Sequence, residues 1–315
     1  MGSTQFCRSV RTPLTVVRTG RSGPDAHHIT TAELALDAQE PVFDGHYPGF
    51  PIFAGVFLVE SAHRAAAAAP PEGCGPLRLA AVESARFLSP AYPGDLLTVE
   101  LTWTPKGDGW LVRGVLSGPR AAVARVRLRY APAAAPVEPF PAVTAPASGT
   151  GDRMLVPDIV QRIPHRQQML LIDQVLDFVP GEHVTAVKAV TYGEPWYRWQ
   201  RPEPTAAEAY AYPIGLLMES LNQAAAMLAT ADAANTDVLA SEVLMLGSYG
   251  HVSFGEPVYP GDLLEHTVRL TRTLNDTQFF EGSTRVRGKL VLTAGQMVLA
   301  RRQATLIRPE MAPTP

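Results

Sequence analysis

Apolar and polar residues alternate over short stretches all along the chain, and two longer stretches interrupt that rhythm by being apolar at almost every position. The alternation covers residues 29–36, 96–103, 110–116 and 122–130, and again 170–178, 183–190, 263–271, 277–287 and 296–307. A period of two turns one face of a strand to a core and the other to solvent, so these segments predict antiparallel strands. Residues 55–69 and 214–230 lack a polar stripe, which predicts two helices buried on nearly all sides. Helices set among many such strands define an α+β protein.

The pattern is written twice. Phe87, Pro90 and the run Tyr92-Pro93-Gly94-Asp95-Leu96-Leu97 recur as Phe254, Pro257 and Tyr259-Pro260-Gly261-Asp262-Leu263-Leu264, a turn that opens a strand in both copies. Upstream, the helical stretches from Gly55 and from Gly215 align Glu60-Ser61 with Glu219-Ser220, and Glu40-Pro41 matches Glu194-Pro195. Three echoes in one order argue for a duplicated unit. Residues 131–151 are rich in Pro and Ala and carry no period, which is the composition of a linker. The expected organisation is a first unit at 1–130, a linker at 131–151 and a second unit at 152–315.

Composition excludes several classes. Hydrophobic residues make up 46% and charged ones 18%, as in a globular protein, and a net charge of −3 gives no reason to expect nucleic-acid binding. Two cysteines, Cys7 and Cys74, make neither a disulfide framework nor a metal-ligand spacing. The first residues hold no apolar signal segment, and the apolar stretch 214–229 is interrupted by Glu219, Asn222 and Gln223. A cytoplasmic protein with no membrane association is the expectation.

Candidate chemistry comes from what interrupts the apolar stretches. Each buried helix carries a glutamate, Glu60 or Glu219, in its second turn. A buried carboxylate is costly and tends to hold a proton, so a repeated one points to chemistry, although a structural pairing is the alternative. Gln223 stands four residues beyond Glu219 and therefore on the same helical face. Ahead of the first helix runs Phe43-Asp44-Gly45-His46-Tyr47-Pro48-Gly49-Phe50-Pro51-Ile52-Phe53-Ala54-Gly55, a Gly- and Pro-rich path of the kind that presents a side chain to a cavity. His63, His165 and His251 are expected to be structural.

The segment from Gly45 to Glu60 resembles the active-site segment of the β-hydroxyacyl-[acyl-carrier-protein] dehydratases, and Pro164-His165-Arg166 followed by Leu170-Leu171-Ile172-Asp173 is similar to another motif of that family. The resemblance implies a hotdog fold, a central helix wrapped by a curved antiparallel sheet, here as a tandem double hotdog like the dehydratase domains of polyketide synthases. It further implies that His46 of the first half works with Glu219 of the second, with Gln223 and the backbone N–H of Gly55 in support. No histidine occurs between Gly193 and Pro213; aligning the Glu-Pro pairs puts Gln200 opposite His46, and counting back from Glu219 puts Thr205 there. Glu60 is accordingly expected to face a vestigial site, with one working site per chain.

The implied reaction is dehydration of a 3-hydroxyacyl thioester in fatty-acid or polyketide biosynthesis, with neutral His46 as base and protonated Glu219 as acid. No metal or organic cofactor is implied, since the substrate rides on phosphopantetheine. The implied partner is an acyl carrier protein, with Arg125, Arg127 and Arg129 or Arg162 and Arg166 as docking candidates and coenzyme A as the other carrier. The chain would be a monomer with an internal pseudo-dimer, or a homodimer. A hotdog thioesterase, a dehydratase that also shifts the double bond, and a non-catalytic acyl-carrier-binding pseudoenzyme remain open. The aromatic run Trp196-Tyr197-Arg198-Trp199 is expected either to line the acyl tunnel or to be a packed surface loop.

Overall fold

A computed structural model describes residues 7–22, 27–141, 151–199, 207–234, 236–238 and 242–308. Gln200, Thr205 and residues 142–150 of the expected linker lie outside the described residues. The first part of the chain forms β1 (Thr15–Ser22), β2 (His27–Ala35), α1 (Pro41–Gly45), α2 (Gly55–Ala68), β3 (Leu77–Phe87), β4 (Leu96–Lys106), β5 (Gly109–Ser117) and β6 (Ala122–Pro132). The second forms α3 (Val156–Ile159), β7 (Gln174–Val179), β8 (His183–Ala189), α4 (Ile214–Ala229), β9 (Glu242–Phe254), β10 (Leu263–Leu274), β11 (Thr277–Val286), β12 (Lys289–Gln303) and α5 (Ala304–Ile307).

All the strands join one sheet in the order β1-β2-β4-β5-β6-β3-β9-β12-β11-β10-β8-β7, and every pairing is antiparallel. The order in one half mirrors that in the other about the β3–β9 junction, where Val82 faces Val252 and Ala85 faces Tyr249. Helix α2 packs on β1 to β6, α4 packs on β8 and β10 to β12, and the two helices touch each other. This is a double hotdog. Every residue of α4 from Gly215 to Ala229 is buried, and α2 is buried from Val56 to Ala62. Each large apolar side chain so enclosed contributes roughly 1.5–3 kcal/mol.

The strands that the alternation missed are β1, β3 and β9. In β3 the run Leu79-Ala80-Ala81-Val82 is buried throughout, and its pairing with β6 shifts register between Leu79 and Ala81 and again between Val82 and Ser84. A bulge removes the period of two that identifies a strand. Residues 304–307 form α5 rather than the end of a strand, and β7 begins only at Gln174, after a 3-10 turn at Gln167–Met169.

Candidate active site

The candidate residues come from two loops and one helix. After α1 the chain turns through His46 and Tyr47, whose peptide bond is cis, and reaches Ala54, the residue that caps α2. Ala54 has φ −61°, the value that a proline would impose. From the second half, the loop between α3 and β7 lies directly against this turn. Arg166 N–H donates to Gly45 O at 3.2 Å, and Gln168 Nε2 donates to Pro41 O at 2.6 Å. A Cβ on Gly45 would stand 2.2 Å from Arg166 O, so glycine is what allows the two loops to touch. That contact sets His46 beside His165.

Helix α4 brings Glu219 to the same place. His165 Nε2 is 3.1 Å from Glu219 Oε1, and the His46 and His165 rings are 5.3 Å apart. A nitrogen from each histidine and a carboxylate oxygen of Glu219 all lie within 4.8 Å of one another. His46 Nδ1 is 3.0 Å from Ile52 O, a contact that makes Nδ1 the protonated nitrogen of a neutral ring and leaves Nε2 as an acceptor. The expectation that His165 is structural is therefore corrected: it belongs to the site, and its Nδ1 is buried without a hydrogen-bond partner.

Gln223 locks the carboxyl in place. Its Nε2 donates to Glu219 Oε1 at 3.2 Å and to Met169 O at 2.8 Å, while its Oε1 accepts from Leu171 N–H at 2.8 Å. Both amide hydrogens are thus engaged, so Gln223 orients Glu219 and has no donor left for a departing water. Ser220 Oγ lies 2.6 Å from both Leu171 O and His266 Nε2, which fastens the same loop to α4 a second time. Asn222 Nδ2 approaches Glu219 Oε2 at 3.5 Å, and its Oδ1 accepts from the Tyr249 hydroxyl.

Burial holds the His46 pKa down to about 4, against the raising charge of Glu219 and with the lowering charge of His165. For Glu219, burial pushes the pKa up, but the His165 hydrogen bond, the charges of His165 and His46, and the Gln223 hydrogen bond outweigh it. The net direction is down. The expectation of a protonated resting Glu219 is corrected accordingly, because a carboxylate with several donors aimed at it favours its charged form.

These groups open into a cleft of about 780 Å³, counted with its open mouth, with an apolar side formed by Phe53, Leu58, Phe87, Ile163, Leu244 and Leu299. Gly55 lines it from the first turn of α2, where a backbone N–H has no acceptor within the helix. Trp196 and Tyr197 are buried but do not line this cleft.

The matching place in the other half is filled. Glu60 Oε2 accepts from Gly215 N–H at 3.0 Å, and Oε1 accepts from Ser9 N–H at 2.9 Å. Glu40 holds the same N-terminal segment by accepting from Arg11 N–H and Thr12 N–H, and Cys7 Sγ contacts Trp196 O at 3.7 Å. A Cβ on Gly215 would meet Glu60 Oε2 at 2.5 Å, so glycine is needed for that approach. The candidate docking arginines are largely engaged: Arg127 pairs with Glu83, Arg129 with Glu138, and the Arg166 guanidinium donates to Val160 O, Ile163 O and His165 O. Among the described residues no helix is long and apolar enough to cross a membrane.

Two hotdog units that meet over a histidine from one and a carboxyl from the other define a dehydratase-type double hotdog. The chain belongs to the 3-hydroxyacyl-[acyl-carrier-protein] dehydratase family. Residues 23–113 match the ApeI dehydratase family and residues 163–295 match the FabA-like domain. The chain is 38% identical over 132 residues to the 3-hydroxyacyl-[acyl-carrier-protein] dehydratase FabZ of Halorhodospira halophila, covering 42% of this chain and 82% of that protein. It is 39% identical over 136 residues to FabZ of Oleidesulfovibrio alaskensis, covering 43% and 84%. Among solved structures, the dehydratase domain of the CurJ module of curacin polyketide synthase superposes with TM-score 0.62 at 13% identity, over 93% of this chain and 98% of that one. A bifunctional dehydratase-cyclase domain from ambruticin biosynthesis gives TM-score 0.63 at 17% identity, over 95% and 99%.

Proposed function

We propose that this protein removes water from a 3-hydroxyacyl thioester to give a 2-enoyl thioester, acting on an acyl group carried by an acyl carrier protein in fatty-acid or polyketide synthesis. The observation that carries this reading is the meeting of His46 and Glu219 at one cleft with an apolar side. Residues 1–130 and 152–315 act as the two units, with 131–151 as their connection except that β6 carries the first unit on to Pro132. The relatives named as dehydratases of carrier-bound substrates support the choice of carrier.

In this reading the acyl chain lies along the apolar side and the thioester carbonyl faces the N-terminus of α2. His46 Nε2 takes the α-proton, and the C–H electron pair moves into the thioester as an enolate. The N–H of Gly55 stabilises the oxygen that gains charge. The imidazolium forms beside the Glu219 carboxylate, which stabilises it. The proton then passes through Glu219 to the β-hydroxyl, the C–O bond breaks, and water leaves. His46 is again neutral and Glu219 again ionised, so the cycle closes. An imidazole and a carboxyl provide all the proton transfers, and His165 and Gln223 position the carboxyl. Glu60, engaged by Ser9 and Gly215, takes no part in turnover.

Incubation with a 3-hydroxyacyl pantetheine thioester tests the reading. A product lighter by one water with its thioester intact is expected. Free thiol would make the protein a thioesterase instead, and no reaction with several chain lengths would make it a binding protein.

A further inference from the structure

The same three side chains have the composition of a transition-metal site. Two imidazoles and one carboxylate offer ligand atoms within 4.8 Å of one another, and all three residues are buried. Zinc holds nitrogen and oxygen ligands at about 2.0–2.2 Å, so tetrahedral neighbours sit about 3.3 Å apart. Side-chain rotations that bring the three ligand atoms from within 4.8 Å of one another to that spacing would close the site.

The surroundings of His46 and Glu219 match those that metal ligands require. His46 directs Nδ1 to Ile52 O, and such a backbone contact fixes the tautomer that leaves Nε2 free to ligate. Gln223 holds Glu219 from behind in the way an outer-shell partner does. His165 reaches the same place through Nε2, the nitrogen that lies 3.1 Å from Glu219 Oε1. The cleft provides the open fourth position. Imidazole and carboxylate together select zinc over magnesium or calcium, which favour sites built from oxygen alone.

We propose that His46, His165 and Glu219 form a binding site for Zn²⁺, and that zinc occupancy shuts the dehydratase off reversibly by taking the base and the carboxylate out of reaction. The shut-off rests on the function proposed above; the binding does not. No bond to the substrate changes: the ion takes the lone pairs of two imidazoles and one carboxylate and keeps a water in the fourth position.

The test uses Co²⁺ as a spectroscopic stand-in, on tag-free full-length protein carrying Cys74→Ser so that the half-exposed thiol adds nothing. One Co²⁺ per chain with the intense visible absorption of four-coordinate cobalt, displaced by Zn²⁺, is expected. His46→Phe and Glu219→Gln, each checked for a native far-ultraviolet spectrum, should both lose that absorption, and His63→Ala should keep it. Zn²⁺ should slow turnover at least tenfold, with full recovery on chelation and no effect of Mg²⁺. Absorption of the weak six-coordinate type, or an unchanged signal in His46→Phe or Glu219→Gln, overturns the site. A chelated protein that binds cobalt in this manner but never dehydrates a thioester overturns the proposed function and leaves the metal site standing.

Discussion

His165 Nε2 lies 3.1 Å from Glu219 Oε1, so a histidine from the loop before β7 holds the carboxyl that faces His46. Of the influences that draw the Glu219 pKa down, the hydrogen bond from His165 is the largest. Replacing it by His165→Gln should let burial prevail and raise that pKa. The variant should turn over more slowly, by about tenfold, and its rate should fall with falling pH over a range where the parent is level, as the raised Glu219 takes up a proton and loses its ionised form. A pH–rate profile of identical shape in the two proteins would remove His165 from the account.

The parent's own profile follows from His46. Burial keeps this ring neutral until the pH approaches about 4, so the base is available throughout the neutral range. Turnover by chelated enzyme should be level from about pH 5.5 to 8 and fall on the acid side as His46 takes a proton. A rate that rises steadily as the pH falls from 8 to 5.5 would mean that Glu219 must start protonated.

Glu60 gives the contrasting case. It accepts two backbone N–H groups, from Ser9 and Gly215, in a place that the chain's own N-terminal segment fills. Glu60→Ala would strand both donors in the interior, at about 1–3 kcal/mol each. The denaturation midpoint should drop clearly while turnover per folded molecule stays close to the parental value, because Glu60 does not line the cleft. A large loss of turnover at unchanged stability would contradict the assignment of the single working site.

Buried histidines make stability depend on pH. Burial lowers His63 from 6.5 to about 4, and His266 from 6.5 to about 3. Between those values and 6.5 the unfolded chain binds protons that the folded one refuses, so stability is complete above pH 6.5 and declines as the pH falls. Each such ring contributes a slope of roughly 1.4 kcal/mol per pH unit within its window. Urea midpoints at pH 7, 6 and 5 should decrease in that order; equal midpoints would show that the rings are not buried as neutral groups.

Much of this was legible in the sequence, and the gaps have physical causes. The duplication and the two helices follow from motifs that keep their spacing, and the pairing of His46 with Glu219 is what the family resemblance implies. His165 escaped because its partner belongs to a distant helix, and a lone histidine in a loop has no period to betray it. The downward direction for Glu219 was invisible for the same reason: burial can be read from an apolar stretch, but the donors that oppose it come from elsewhere. The junction strands β3 and β9 were missed where bulges in their pairings with β6 and β12 break the alternation. The filling of the second site rests on backbone N–H groups of Ser9, Arg11 and Thr12, which carry no signature in residue type.

The account stands on one base and one carboxyl, drawn from different halves, serving a single elimination. Turnover of a 3-hydroxyacyl pantetheine thioester, followed as loss of water by mass spectrometry, should be compared in the parent, His46→Ala, Glu219→Gln and the double variant. Each single change should cost about 10²–10⁴-fold, and the double variant should be no slower than the worse single one, because either loss stops the same event. Near-parental turnover in either single variant, or losses that multiply in the double, would contradict it.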